Sequence, residues 1–509
     1  MRPLAFKRYG QGPWKRVLLV APKHPDNFWC LEGMVELMGA RALVPNPALP
    51  TLMALTPPGL GVEYRLQDEN VGPLALDTPC DLVAVTGNTL HAARVIELCR
   101  AFRARGVPVA LGGTWASVHA ERGRELADHL FLGEAELTWP RFLQDWAAGR
   151  AQAVYAQEGP VDLALSPAPD FSLQDPRHYV SMSVQASRGC NHRCDFCDVV
   201  TLFGRHRVKP VEQVLREVQA VHALGARSVF ITDDNFIGHK EHARALLEAI
   251  IAWNTRQTRP LSFSTQLALE VADDEDLLQK LADARFSVLF MGLESVRAES
   301  LDEVQKGHNL RRDPRERLRR LNRHGLVPFL GLIVGFDHDD ATVFDEIFAF
   351  MQTAAAPAAG VSLLAAPRGT PLHARLQAEG RLLADEFAGE WHHGTNVLPK
   401  QMSPAELAAG HRDLLRRLYA PEAFEARFAA WLGQIEELTD RYPRKKTDWP
   451  MLLRSGRLFR YFLTRAPADE RGLFLRCLRL AWRKDKRLVK RAVTLLAQYH
   501  HFHAFARRG

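Results

Sequence analysis

The stretch Met182-Ser-Val-Gln-Ala-Ser-Arg-Gly-Cys190-Asn-His-Arg-Cys194-Asp-Phe-Cys197 runs a short apolar segment into three cysteines within eight residues. The other four of the chain's seven cysteines (Cys30, Cys80, Cys99 and Cys477) are scattered singly and read as buried thiols. Seven cysteines in 509 residues are too few for a disulfide scaffold. A C-x3-C-x2-C loop directly after a strand is better read as a tripod. Three thiolates on a short loop can hold three irons of a [4Fe–4S] cluster and leave the fourth iron open. A zinc site that adds His192 or His206 is the alternative, although zinc knuckles usually pair C-x2-C with a second, distant pair.

Downstream of this loop, strand-like runs and helical patterns alternate. The strands are Met182–Ala186, Ser228–Thr232, Leu261–Thr265, Val288–Met291, Phe329–Val334 and Gly360–Ala365, with helical periodicity over 211–224, 239–255, 275–284, 312–324 and 342–354. Six such units predict a (β/α)6 barrel, shorter than the usual eight, with its site at the carboxyl ends of the strands.

Upstream, Val17–Ala21, Val62–Leu66, Leu82–Val85, Val109–Leu111 and His129–Phe131 read as strands, with amphipathic helices over 91–105 and 116–126. This alternation predicts a doubly wound parallel sheet over residues 1–150, again with ligands at the carboxyl ends of the strands. The turns Thr86-Gly87-Asn88, Gly112-Gly113-Thr114 and Gly133-Glu134 sit at three such ends. No Gly-x-Gly-x-x-Gly follows the first strand, which argues against NAD or FAD. Residues 151–180 carry Pro160, Pro167, Pro169 and Pro176 with little periodicity and read as a linker to the barrel at 181–375. Residues 376–509 show only helical periodicity. The fold expected is therefore α/β with a helical C-terminal domain.

The charge is uneven. Residues 441–509 hold 19 Lys and Arg against 4 Asp and Glu, net +15, which leaves the first 440 residues at 47 against 55, net −8. A global basic field for nucleic acid is excluded; the positive charge belongs to the tail. The run Gly472–Lys490 mixes apolar and basic groups at helical spacing. It reads as a packed helix with a solvated basic face, or as peripheral contact with an anionic membrane surface. No long uncharged apolar run and no apolar leader appear, so a cytoplasmic protein is expected, with the inner membrane face as a second location.

The cysteine spacing, with an aromatic residue (Phe196) before the last cysteine, resembles the radical S-adenosylmethionine (SAM) superfamily. Further segments agree: Asp233-Asp234-Asn235-Phe236 after the second barrel strand, Gly292-Leu-Glu294-Ser after the fourth, and Gly331-Leu-Ile-Val-Gly335-Phe on the fifth. The resemblance implies that Cys190, Cys194 and Cys197 ligate the cluster. Phe196, Asp233, Asp234, Glu294 and Gly335 would contact SAM, and Gln266 and Glu270 are weaker candidates. The first domain resembles the cobalamin-binding class through Leu111-Gly-Gly-Thr114 and Leu132-Gly-Glu134-Ala-Glu136. That implies a corrinoid held by Thr86, Gly112, Gly113, Thr114, Gly133 and Glu134. The Asp-x-His-x-x-Gly motif that donates a cobalt ligand elsewhere is absent; Pro22-Lys-His24 stands there, and His24 and His91 are the candidates in its place.

Nearly the full chain looks like the branch containing hopanoid C-2 methylases. The resemblance implies reductive SAM cleavage, hydrogen abstraction from an unactivated carbon, and methyl transfer from cobalamin to a lipid or other small molecule. It also implies an electron donor of flavodoxin or ferredoxin type. Cobalamin chemistry without net methylation, such as ring formation or oxidation, is the alternative. An RNA-modifying enzyme would carry a second cysteine trio and an added RNA-binding barrel, and the sequence shows neither.

Overall fold

Apolar runs become the strands of two separate sheets in the computed structural model, which describes residues 5–383, 394–439, 442 and 449–508. The first sheet holds β1 (Phe6–Tyr9), β2 (Lys15–Ala21), β3 (Val62–Asp68), β4 (Leu82–Thr86), β5 (Val109–Gly112), β6 (His129–Leu132) and β7 (Val154–Ala156). Their spatial order is β1-β3-β2-β4-β5-β6-β7, and every pair is parallel except β1 with β3. Val17 to Ala21 are all buried, as a central strand with helices on both faces requires.

One expectation is corrected here. The segment read as a linker supplies β7, and the sheet's last edge is built from it. The Tyr155 ring stacks on Phe131 at 5.5 Å, and its hydroxyl donates to Asp145. Further along, Asp170 accepts from Tyr9, and Tyr179 donates to Asp68. The prolines break periodicity without detaching the segment from the sheet.

The second sheet starts at β8 (Met182–Val184). A two-residue ladder, β9 (Ser187–Arg188) with β10 (Arg207–Val208), encloses the cysteine loop. The sheet continues with β11 (Ser228–Ile231), β12 (Ser262–Gln266), β13 (Phe286–Glu294), β14 (Val327–Val334) and β15 (Ala358–Leu363). All neighbours are parallel and in chain order, and β8 and β15 stay unpaired edges, so the barrel is partial. Connecting helices begin where sequence chemistry starts them: Asp274 caps Glu275–Asp283 and Asp313 caps Pro314–Arg323. Along β11 and β12 the residues alternate. Val229, Ile231, Phe263 and Thr265 are buried, while Phe230, Ser262 and Ser264 are only half-buried.

An aromatic floor joins three regions of the chain. Trp29, from the loop after β2, lies 5.2 Å from the ring of Phe329 and 6.3 Å from that of Phe290. Phe28 stacks on Phe502 of the last helix, Val489–Arg508, at 4.4 Å. Gly360 makes room for this plug, since a Cβ there would meet the Trp29 indole at 2.7 Å. The helices Pro404–Leu418, Pro421–Gln434, Trp449–Thr464 and Ala468–Lys484 complete the C-terminal region. Among the described residues, no helix is long and apolar enough to cross a membrane.

Candidate active site

The cysteine loop is held by its neighbours before any ligand is considered. Asp233, 1% exposed, accepts from the backbone N–H of Ala186 and Ser187 at 2.8 and 2.9 Å and from the Ser187 hydroxyl at 2.6 Å. Burial pushes its carboxyl up to about 7 against those three donors. Asp234 accepts from the N–H of Gly189 at 2.9 Å, and burial raises it to about 6. Gly189 has φ +85°, and a Cβ there would meet the carbonyls of Gly204 and Arg205 at 2.7 Å, so no other residue closes this turn without strain. Asp233 is thus a brace for the loop. The expectation that it faces a ligand is corrected by its burial and its three internal donors.

The loop gathers three free thiols at the carboxyl end of the barrel: Cys194 is buried, and Cys190 and Cys197 are half-buried. The His192 N–H approaches the Cys190 Sγ at 3.5 Å. Burial pushes the Cys197 thiol up to about 12, so deprotonation there depends on a bound cation. Asp195 fastens the loop to its surroundings, accepting from Gln305 and, through its carbonyl, from Leu372 N–H.

Lys306, which no local pattern singles out, is the cation of this site. Its ammonium reaches Glu294 Oε1 at 2.6 Å and stands 5.7 Å from the Phe196 ring centroid. Burial opposes its charge, but the Glu294 carboxylate outweighs burial and holds it above the ordinary lysine range. Glu294 ends β13 with φ +69°, a conformation that costs a residue with a side chain on the order of 1–3 kcal/mol. Gly292 is needed beside the pair, because a Cβ would sit 2.0 Å from Glu294 Oε1. Gly335 has φ +106°, and its N–H is held by Asp339.

Glu270 joins His192 and His308 close by, with donor atoms within 4.8 Å of one another. The two imidazoles are stacked 4.2 Å apart and only 8° from parallel, so their lone pairs run side by side instead of converging on one ion. Burial pushes His308 down to about 4, which leaves it neutral.

In the first sheet, Thr86, Gly112, Gly113, Thr114 and Gly133 do come together at the ends of β4, β5 and β6. Gly113 has φ +94°, and its Cβ would meet Thr86 Oγ1 at 2.6 Å. Ser117 Oγ accepts from Gly133 N–H and ties two of these turns together. His24 and His91 pack ring to ring at 4.5 Å, and burial pushes His91 down to about 3.

Glu134 is engaged within the fold. Its carboxylate accepts from Arg207 at 2.9 and 3.0 Å, from the N–H of Val161 at 2.6 Å, and from Arg188. Glu136 takes the other Arg188 nitrogen at 2.9 Å. Both carboxylates are about 5% exposed or less and both guanidinium groups under a fifth. Glu134 thus forms a buried link between the first domain and the residue two positions before Cys190, and it also lines the neighbouring cleft. Beside it lies a cleft of about 770 Å³, walled by Ser117 and Gly133 on one side and by Thr201, Phe203, Arg368 and His373 on the other.

A profile of the Radical SAM superfamily matches residues 184–351, and one of a domain of unknown function, DUF4070, matches residues 370–508. An uncharacterized methyltransferase of Synechocystis sp. (sll1242) is 35% identical over 418 residues, 80% of this chain and 77% of that one. Hopanoid C-2 methylase of Rhodopseudomonas palustris is 30% identical over 426 residues, 81% of this chain and 79% of its own. The chain belongs to the radical SAM superfamily. Two solved radical SAM structures share its fold. OxsB, a cobalamin-dependent SAM radical enzyme, superposes with TM-score 0.62 at 13% identity, covering 97% of this chain and 80% of its own. The methyltransferase TsrM of Kitasatospora setae gives 0.54 at 18% identity, covering 78% and 85%. In this radical SAM protein the residues that sequence reasoning missed are Lys306, Arg188, Arg207, His308 and His373. The first four meet partners distant in the chain and His373 lines a cleft whose other wall is distant, so spacing carried no signal for them.

Proposed function

We propose that this protein is a cobalamin-dependent radical SAM C-methyltransferase acting on an unactivated carbon of a lipid or secondary-metabolite substrate. The observation that carries the reading is the trio of free thiols at the barrel mouth, beside a buried Lys306–Glu294 pair and next to an interdomain cleft. Relatives named as methylases over four-fifths of the chain support the reaction class.

The residues fit the groups this reading needs. Three soft sulfur donors with no disulfide partner, an N–H aimed at Cys190 Sγ and a nearby ammonium suit an anionic iron–sulfur cluster held by Cys190, Cys194 and Cys197. The cleft wall holds His373, 7% exposed, whose Nε2 is buried without a hydrogen-bond partner, a polar atom suited to a ligand in that space. Cobalamin would be held by the turns at Thr86, Gly112–Thr114 and Gly133–Glu134, of which Gly133 and Glu134 line this cleft. When bound, these groups supply the electron that cleaves SAM to a hydrogen-abstracting radical and the carrier of the methyl group.

The chain's own residues position and shield. Asp233 and Asp234 fix the backbone of the cysteine loop, and Gly335 with Asp339 shapes the fifth strand end where SAM's adenine would lie. Lys306 balances negative charge at the thiols and fixes Glu294 for a ribose hydroxyl. Trp29, Phe290 and Phe329 close the barrel beneath the site and keep water from a reactive radical.

Anaerobically reconstituted protein, given cobalamin and methyl-labelled SAM, is expected to cleave SAM reductively and to label a lipid-extract product. Cleavage without label in any product would instead mean cobalamin use without net methylation. A Lys306→Met variant is expected to lose about 3 kcal/mol of stability, because Glu294 is left buried and unpaired. K306M/E294Q is expected to recover that stability while reconstituted protein keeps a more negative cluster midpoint potential. Equal potentials in wild type and double variant would remove Lys306 from the site's electrostatics.

A further inference from the structure

We propose that the outer face of the helix Ala468–Lys484 docks this protein on an anionic lipid bilayer surface. The inner face of that helix is spent on the fold, with Leu473, Phe474, Cys477 and Ala481 buried. The outer face is not. Leu475 is 48% exposed and Trp482, seven residues on and hence on the same side, is 65% exposed. Arg479 lies between them on that face, and Arg483, Lys484 and Lys486 follow at its end, all exposed. Several acidic groups near this patch are engaged within the fold, Asp485 with Arg487, Glu425 with Arg476 and Glu470 with His500, while Asp469 and Glu422 stay exposed toward the start of the helix.

The composition of the face selects the occupant. A helix face that only met water would carry its charges without a large exposed indole in its last turn. A tryptophan flanked by leucine and ringed by lysine and arginine suits the zone between lipid headgroups and acyl chains, where the ring is half-desolvated and the cations meet phosphates. The charge of the region agrees, since residues 441–509 are net +15 while the rest of the chain is net acidic. Such a bilayer would orient toward this helix and repel the acidic remainder. The proposal does not depend on the cofactors, because the patch lies wholly on the C-terminal helices.

The test is co-sedimentation of the whole protein with vesicles of phosphatidylcholine alone and of phosphatidylcholine mixed with phosphatidylglycerol. Binding to the mixed vesicles, absent with the neutral ones and weakened by salt, is the expected result. Trp482→Ala is expected to weaken binding by about tenfold and R479E/R483E/K486E to abolish it. All four positions are exposed, so circular dichroism and melting should match wild type. Absence of wild-type binding to anionic vesicles overturns the proposal. So does a Trp482→Ala protein that binds as wild type while the charge reversal does not, since that pattern describes a purely electrostatic surface for an acidic protein.

Discussion

Replacing Cys190, Cys194 and Cys197 together by alanine is expected to leave a folded protein that holds no iron or sulfide and cleaves no SAM above background. The fold should survive because the loop's shape does not depend on sulfur. Asp233, Asp234 and Asp195 hold its backbone through Ala186, Ser187, Gly189 and Gln305, and the strands below carry the core. Thiol to methyl at three half-buried or buried positions costs roughly 1 kcal/mol each. Iron and sulfide content of anaerobically reconstituted protein, the absorbance of cluster charge transfer, and 5′-deoxyadenosine release are the three readouts. Single variants should fail in the same way, since two thiolates cannot hold three irons. Retention of reductive SAM cleavage in the triple variant would dismiss the tripod altogether.

Glu134→Ala is expected to cost about 3–5 kcal/mol and to loosen the first domain from the barrel. The carboxylate satisfies Arg207 and Arg188 in a region where both guanidinium groups are under a fifth exposed, and deletion strips Arg207 of its carboxylate and leaves Arg188 with Glu136 alone. Arg188→Ala should cost a similar amount, because Glu134 and Glu136 then lose a shared partner. The double variant should cost clearly less than the sum of the two, the signature of groups that act together. Denaturant melts give the stabilities. Cobalamin titration followed by absorbance adds a second reading, in which weaker binding shows that the link also sets the width of the adjoining cleft. Additive single effects below about 1 kcal/mol each would mean the pairs are separable surface contacts.

Much of this architecture is legible in the chain, and the exceptions have physical reasons. The central strands of the first sheet announce themselves as apolar runs because helices bury them on both faces, and those of the barrel through a buried face that alternates with a half-buried one. Phe6–Tyr9 and Val154–Ala156 do not. They are edge strands of four and three residues, and only Tyr155 among them is buried, so neither run nor alternation stands out. The cysteine spacing is local and therefore readable. Lys306 is twelve residues from Glu294, Glu134 is 54 from Arg188 and 73 from Arg207, and those charges look like ordinary surface residues until the fold brings them together. Asp233 shows the opposite error. Its position after the second barrel strand is readable, but its neighbours are backbone N–H groups, and sequence does not say whether a carboxylate faces a ligand or the turn beneath it.

The meeting of Phe28, Trp29 and Phe502 under the barrel makes the chain circular in its assembly. A segment near the beginning and a helix at the end must both arrive before the middle is sealed. The barrel is thus no module that can be lifted out. Excised, it would present a raw aromatic underside, and during synthesis it stays unfinished until the helix Val489–Arg508 emerges.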